Sequence, residues 1–416
     1  MNNNMFIGFM QYILLVLVLS VGCSSESYDH AHEADINVDL FVQYLNDPLW
    51  IERDAYDAGH NLMIPLHWAF AKDSNQLQKA FADHFDRMLE AYASGEIDLG
   101  TLNELQYLTL SSRYLALGDA GSDDGMRTKL ADLVHERFVY YWQEKPAWQW
   151  ARDSFEGGIK ERILWKLEEK NPERSYYTMF FDQEFFVVGI AADLLTFHSK
   201  KGSEGCSVYR DAVLLFQRVM EQRLDTSKKG WVFQAGIYRD RPTYAHSGYL
   251  TPPGLDAPSI VAQNIQEDSS HAHRWPLWLL QLSGVTDVSD LQGRLRQQLL
   301  NVVIDHNVNI GVPVLKNFMC GHNGYYRWNY QTHEEGTGYG PYQLSGTFTL
   351  GWWSLLGGAD LAGLYADLVQ AYPLNQAQMD VYSDLSTKER HPLVADAHVN
   401  GLRQNIARMA ADLADE

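Results

Sequence analysis

Positive charge is scarce in this chain: its 416 residues carry 33 Lys+Arg against 53 Asp+Glu, a formal net charge of −20. That deficit argues against a nucleic-acid partner, whose phosphates need a basic surface. It leaves an anionic substrate open, because a cleft can be locally basic on an acidic protein. Cysteine is nearly absent, with 3 in all, and a chain of this length can build a core that needs no disulfide scaffold. No P-loop, dinucleotide fingerprint or zinc-helix spacing occurs, so no cofactor and no metal are implied. No convincing run of strand-like alternation occurs either. At 46% hydrophobic residues the chain is not disordered. Aromatic residues, by contrast, are abundant, with 12 Trp and 23 Tyr. Flat amphipathic rings in that number suit a carbohydrate-handling surface, although most must belong to the core.

Only one long apolar run exists, Met5–Gly22, and it carries no charge. A run of about 18 residues can span a bilayer. Its end, Leu19-Ser20-Val21-Gly22-Cys23 before Ser24-Ser25, resembles a lipoprotein signal peptide. The expectation is removal of residues 1–22 and a lipid anchor on Cys23. The body is then exported to the periplasm or outer membrane, and touches the membrane through that anchor alone. A plain signal peptide or an anchor helix would export it as well. Residues 23–35 read as a flexible tether, and His30-Ala31-His32-Glu33 within it as solvated linker. Cys206 and Cys320 remain as thiols able to form one disulfide in an oxidising compartment.

Residues 36–416 read as one domain of successive helices. In Leu77–Tyr92 the positions Leu77, Phe81, Phe85, Met88 and Tyr92 follow three- and four-residue steps. Leu102–Leu117 and Met126–Tyr141 repeat the pattern, the latter with Ser122-Asp123-Asp124 as possible caps. Phe181–Phe197 is apolar nearly all round and should be buried on most sides. Val208–Met220, Leu291–Val303, Leu350–Leu368 and Val399–Leu413 continue the series. The repeating unit is a helical hairpin, which predicts an all-α toroid of inner and outer helices around a central cleft. Two stretches, Asp225–Ser270 and Asn307–Gly346, break the rhythm and are too aromatic for disorder. Irregular segments of that length are usually functional.

Three clusters sit in or beside those stretches. In Glu267-Asp268-Ser269-Ser270-His271-Ala272-His273-Arg274-Trp275, a serine can cap a helix running on through Trp278 and Leu282. His271 and Arg274 then share a face, as a general base and a carboxylate-binding fork. The simpler reading pairs Glu267 or Asp268 with Arg274 at a helix start. The second cluster runs from His322-Asn323-Gly324-Tyr325-Tyr326-Arg327-Trp328 to Tyr330 and His333-Glu334-Glu335. It holds the residue types needed to remove a proton beside a uronate carboxyl. A cation or amide neutralises the carboxylate, a His or Tyr takes the proton, and a Tyr or His protonates the departing oxygen. The third, Arg239-Asp240-Arg241-Pro242-Thr243-Tyr244-Ala245-His246-Ser247-Gly248-Tyr249, suits a polyanionic sugar. Asp182 and Glu184 open the buried helix, as acids or as N-terminal dipole partners.

The helical-hairpin rhythm, the lipoprotein-like start and the His/Arg and Asn/Tyr/Arg clusters together resemble the (α/α)-toroid polysaccharide lyases, particularly those acting on alginate or glucuronan. The resemblance implies β-elimination without a cofactor. It assigns catalysis to Asn323, to His271 or His273, to Arg327 or Arg274, and to Tyr326 or Tyr330. Arg239, Arg241, His246, Tyr249, Arg274, His322, Trp328 and His333 are the expected substrate-binding residues. Two other readings stand beside it. A toroid glycoside hydrolase would use carboxylates among Asp182, Glu267, Glu334 and Glu335. A glycan-binding lipoprotein would stack sugars on Trp275, Trp328, Trp352 and Trp353, although Trp352-Trp353 lies in an apolar stretch and reads as core.

Overall fold

A computed structural model describes residues 36–95, 97, 99–118, 125–150, 152–226, 230–236, 240–259, 267–328, 338–383 and 391–416. The expected signal peptide, the lipidated Cys23 and the tether lie outside these residues, as do the Ser122–Asp124 caps. Ile36–Glu416 is one compact unit. The first helices are α1 (Val38–Asn46), α2 (Glu52–Asn61), α3 (Met63–Ala71), α4 (Asn75–Ser94), α5 (Thr101–Leu117) and α6 (Gly125–Val139). Next come α7 (Gly158–Glu168), α8 (Asp182–Lys200) and α9 (Ser207–Arg223). α10 (Ser269–Ala272), α11 (Trp275–Ser283) and α12 (Ser289–Gln298) follow the first irregular stretch. After the second stand α13 (Ala359–Ala371), α14 (Gln376–Tyr382), α15 (Pro392–Ala395) and α16 (Leu402–Ala414). Among the described residues the only sheets are two hairpins, β1 (Ala147–Gln149) with β2 (Arg152–Phe155) and β3 (Leu224–Asp225) with β4 (Val232–Phe233). The fold class is all-α, as the periodicity predicts. No helix of the described residues is long and apolar enough to cross a membrane.

Burial of one face accounts for these helices. In α4, Leu77, Phe81, Phe85 and Met88 form one fully buried stripe. α8 buries Phe185, Phe186, Val188, Ile190 and Leu194 because α5, α9 and α11 pack around it. α11 in turn packs on the 3₁₀ segment Trp352–Leu356, that segment on α16, and α16 on α3. Inside this apolar contact lies one polar knot. Asp193 of α8 accepts hydrogen bonds from Arg113 (2.8 Å) and Ser112 (3.0 Å) of α5 and from Gln281 of α11 (2.7 Å). Arg113 also donates to His67 of α3 at 3.2 Å. A buried carboxylate is tolerated only when satisfied in this way.

Three predicted helices change shape. Leu350–Leu368 is not one helix: Gly351, Gly357 and Gly358 adopt φ of 82°, 65° and 109°, left-handed or positive values that a right-handed helix cannot contain. The chain instead makes the 3₁₀ turn Trp352–Leu356 and starts α13 afterwards; both tryptophans are buried, as read. The helix expected through His271 and Trp278 is broken at His273–Arg274, and its cap is Asp268 rather than a serine. Pro276 has no N–H to continue the ladder, so α10 stops and α11 begins anew. Val399 is 85% exposed, and α16 begins only at Leu402. Cys206 and Cys320 are both free thiols.

Buried histidines make the fold acid-sensitive. His84 is enclosed, with Nδ1 on the Leu45 carbonyl (2.7 Å) and Nε2 on the Tyr107 hydroxyl (2.5 Å). The neutral ring fits both partners, donating to the carbonyl and accepting from the hydroxyl. Burial pulls its pKa from 6.5 to about 4, and burial with Arg113 holds His67 well below its usual value. The unfolded chain therefore binds more protons than the folded one, so stability falls as pH drops from 6.5 to 4. For His84 alone the loss corresponds to about 3 kcal/mol. Urea unfolding at several pH values should show it, and His84→Gln should flatten the slope; an unchanged slope would remove His84 from the explanation.

Candidate active site

The two irregular stretches are stitched to each other and to α10. The Ser269 N–H donates to the Asn317 carbonyl at 3.0 Å, Met319 to Glu267 at 2.9 Å, and Tyr325 to Tyr249 at 3.0 Å. Gly324, at φ 141°, lies against Gly248, where a Cβ would come within 2.6 Å of backbone. Beneath the loops Met179, Tyr244, Phe318, Tyr326, Tyr339 and Leu344 form a small apolar core of their own. This core brings residues far apart in sequence to one place.

At that place Asp268 is buried and caps α10 by accepting from the His271 N–H at 3.0 Å. The same carboxylate accepts from His271 Nδ1 at 2.7 Å and from the Ser270 hydroxyl at 2.5 Å. Burial alone would raise the Asp268 pKa, but His271 and Ser270 outweigh it, with help from Arg327, and hold it well below the usual carboxylate range. A carboxylate only accepts, so Nδ1 carries a proton, and in the neutral ring Nε2 is the atom that presents a lone pair. Arg327 Nη2 stands 3.5 Å from that Nε2, and its Nε donates to the Tyr244 hydroxyl at 3.3 Å. The Tyr326 hydroxyl is 3.4 Å from both Tyr244 and His271 Nδ1. Arg327 has φ 50°, an uncommon backbone state for a non-glycine residue.

Two cavities share these groups. One, of about 740 Å³, is lined by Arg53, Tyr56, His60, His273, Arg274, Tyr326 and Arg403, among others. The other, of about 380 Å³, is lined by Trp148, Trp150, Phe181, Arg241, Tyr244 and Glu267, among others. Leu102, Asp182, His271 and Arg327 line both. His271 and Arg327 therefore stand where the larger, arginine-lined space meets the smaller, aromatic one.

The remaining expected site residues divide into three groups. Arg274 reaches the larger cavity, bonded to the Tyr56 hydroxyl at 2.6 Å and paired with Asp182 at 3.4 Å, not with Glu267 or Asp268. His273 also lines it, but the ring is buried, donates to the Ser270 carbonyl (2.6 Å) and is kept neutral by burial and Arg274. Arg241 lines the smaller cavity, its guanidinium 4.7 Å above the Trp150 ring. A second group lines neither cavity and braces the loops. Asn323 spends its side-chain oxygen on the Asn317 and Tyr342 N–H groups, at 3.2 and 3.3 Å. Tyr249 donates to the Pro258 carbonyl at 2.9 Å, and exposed His322 lies 3.2 Å from the Cys320 sulfur. Trp328 is buried between Tyr325 and His246. The third group, Arg239, Tyr330 and His333, lies outside the described residues, as do Glu334 and Glu335. Trp275, Trp352 and Trp353 are buried and present no stacking face.

Asp268, Tyr244, Asp182 and Tyr56 join the site, although none was expected there as a lyase residue. For Asp268 a signal existed: an Asp three residues before a His at a helix start both caps and grips the ring. Tyr56 carries no local signal, and Tyr244 has only its place in the Arg239–Tyr249 cluster; the loop core brings in Tyr244, and the hydrogen bond to Arg274 brings in Tyr56. Glu184 is structural: it accepts from Arg162 (2.9 Å), Lys166 (2.5 Å) and the Phe181 N–H (2.7 Å). Among the described residues no three of His, Cys, Asp and Glu converge as metal ligands. No family model matches the chain, and neither does a curated protein or a solved structure.

Proposed function

We propose that the protein is a polysaccharide lyase that cleaves a uronate-containing acidic polysaccharide by β-elimination, on an (α/α)-toroid body exported and lipid-anchored at Cys23. The observation that carries this reading is the meeting of the Asp268–His271 pair, Tyr326, Tyr244 and Arg327 at the junction of two cavities. A polymer threaded through both spaces would have one linkage at that junction. The toroid is supported by a closed cycle of contacts from α3 through α5, α8, α11, Trp352–Leu356 and α16 back to α3. Outside it α4 lies on α3, α6 on α5, α9 on α8, α12 on α11 and α13 on α16.

The uronate carboxylate docks on Arg327, drawing its guanidinium away from His271 Nε2. That imidazole takes the proton from the carbon beside the carboxyl, and Asp268 stabilises the imidazolium. The electron pair forms the 4,5-double bond as the bond to the glycosidic oxygen breaks. Tyr326 protonates the departing oxygen, with Tyr244 behind it. A second reading, glycoside hydrolysis, is favoured by one observation: burial raises the Glu267 pKa well above the usual value, as a general acid requires.

The two readings leave different products. Incubating the protein with uronate polymers and following ultraviolet absorbance should show the 4,5-unsaturated product on one of them. New reducing ends without that absorbance would transfer the assignment to hydrolysis. Product from neither assay, with the protein folded, would refute both.

A further inference from the structure

We propose that Trp148 and Trp150 form a saccharide-stacking subsite in the smaller cavity, binding a pyranose ring of the substrate on one flank of His271 and Arg327. The inference rests on the glycan-cleaving reading for its ligand class, but on separate residues for its geometry.

Trp148 is 50% exposed, in a chain whose other indoles are largely buried. Its exposure is built in. The β1–β2 hairpin turns Ala147 and Gln149 inward and Trp148 outward, the alternation a strand imposes. The hairpin is anchored from behind: buried Gln149 donates to the Tyr177 carbonyl at 2.7 Å, and Arg162 donates to the Trp148 carbonyl at 2.8 Å. The backbone is thus braced while the Trp148 ring stays half exposed at the cavity.

Trp150 stands against Trp148, ring centroids 5.3 Å apart at 66°. It is fixed in turn by Phe181 at 5.2 Å and by the Arg241 guanidinium on its face. Both indoles line the cavity that contains His271 and Arg327. A pyranose offers a flat C–H face to an indole and hydroxyls at its edge, and Gln183 and Lys145, which line the same cavity, offer polar groups to that edge. The larger cavity across the junction is lined by Arg53, Arg274 and Arg403, the first two paired with Asp57 and Asp182. Both cavities carry basic side chains, so the two indoles are what sets the smaller one apart as a stacking face.

Calorimetric binding of a uronate tetrasaccharide and of a neutral tetrasaccharide to the full chain tests this, with Trp148→Ala and Trp148→Phe beside the wild type. Trp148→Ala should weaken binding of at least one tetrasaccharide by roughly tenfold, and Trp148→Phe by less, with circular dichroism unchanged. Equal affinity of wild type and Trp148→Ala overturns the proposal, as does wild-type binding of neither saccharide. If Trp148→Ala weakens binding while no polymer yields unsaturated product, the subsite stands and the lyase reading falls.

Discussion

Asp268→Asn should leave the protein folded and lower its turnover by roughly 10²–10⁴-fold, with KM changed by no more than about threefold. Asparagine is an adequate helix cap, so the hydrogen bond to the His271 N–H survives the change. What changes is the partner of Nδ1. The carboxylate accepts from that nitrogen at 2.7 Å and leaves Nε2 as the lone pair facing Arg327. An amide can donate to Nδ1, which moves the ring proton to Nε2 and removes the base. The negative charge that would stabilise the imidazolium is lost at the same time. A turnover within about threefold of wild type would show that His271 is not the base and would pass that role to Tyr326. The pH dependence of stability has a definite sign. The folded pKa of Asp268 is depressed, so its contribution is present above the ordinary carboxylate range and is lost as pH falls through the folded value.

Away from the reacting groups, the largest effect on stability is expected from Glu184→Gln. Arg162 and Lys166 are buried, and both hydrogen-bond the Glu184 carboxylate, at 2.9 and 2.5 Å. Removing the one anion strands the Arg162 guanidinium in the core and takes away the carboxylate that helps Lys166, already pulled down to about 7 by burial, to keep its proton; the change should cost about 3–5 kcal/mol. Burial opposes the charge on Glu184, but Lys166 and Arg162 hold its pKa below the usual range. The difference between variant and wild type should therefore be full at neutral pH and shrink in acid, as the wild-type carboxylate takes up its proton. Urea unfolding at neutral and acid pH reads both numbers. Adding Lys166→Met should recover part of the loss, because an apolar side chain of similar length replaces a buried amine left without its carboxylate partner. A loss below about 1 kcal/mol would mean that water reaches the cluster.

Particular residues show how far the chain was readable. The stripe of Leu77, Phe81, Phe85 and Met88 predicted α4 because burial on one helix face leaves a period. Leu350–Leu368 carried a comparable period and misled, since Gly351, Gly357 and Gly358 take backbone angles that no apolar pattern reports. Chemical type points to His271, Arg274, Tyr326 and Arg327, and all four reach the cavities. Asn323 and His322 were named on the same grounds and do not, because the Asn323 oxygen is engaged by two backbone N–H groups and His322 faces solvent.

Composition and periodicity were enough for the all-α class and for the position of the two irregular stretches. These follow from composition and from spacing along the chain, where each contact is local. The grip of Asp268 on His271, the reach of Tyr244 and Tyr56 into the site and the exposure of Trp148 in the smaller cavity come from packing in three dimensions. Such contacts join segments tens to hundreds of residues apart, or choose one rotamer among several. Loop packing and burial set them, and neither leaves a period in the sequence.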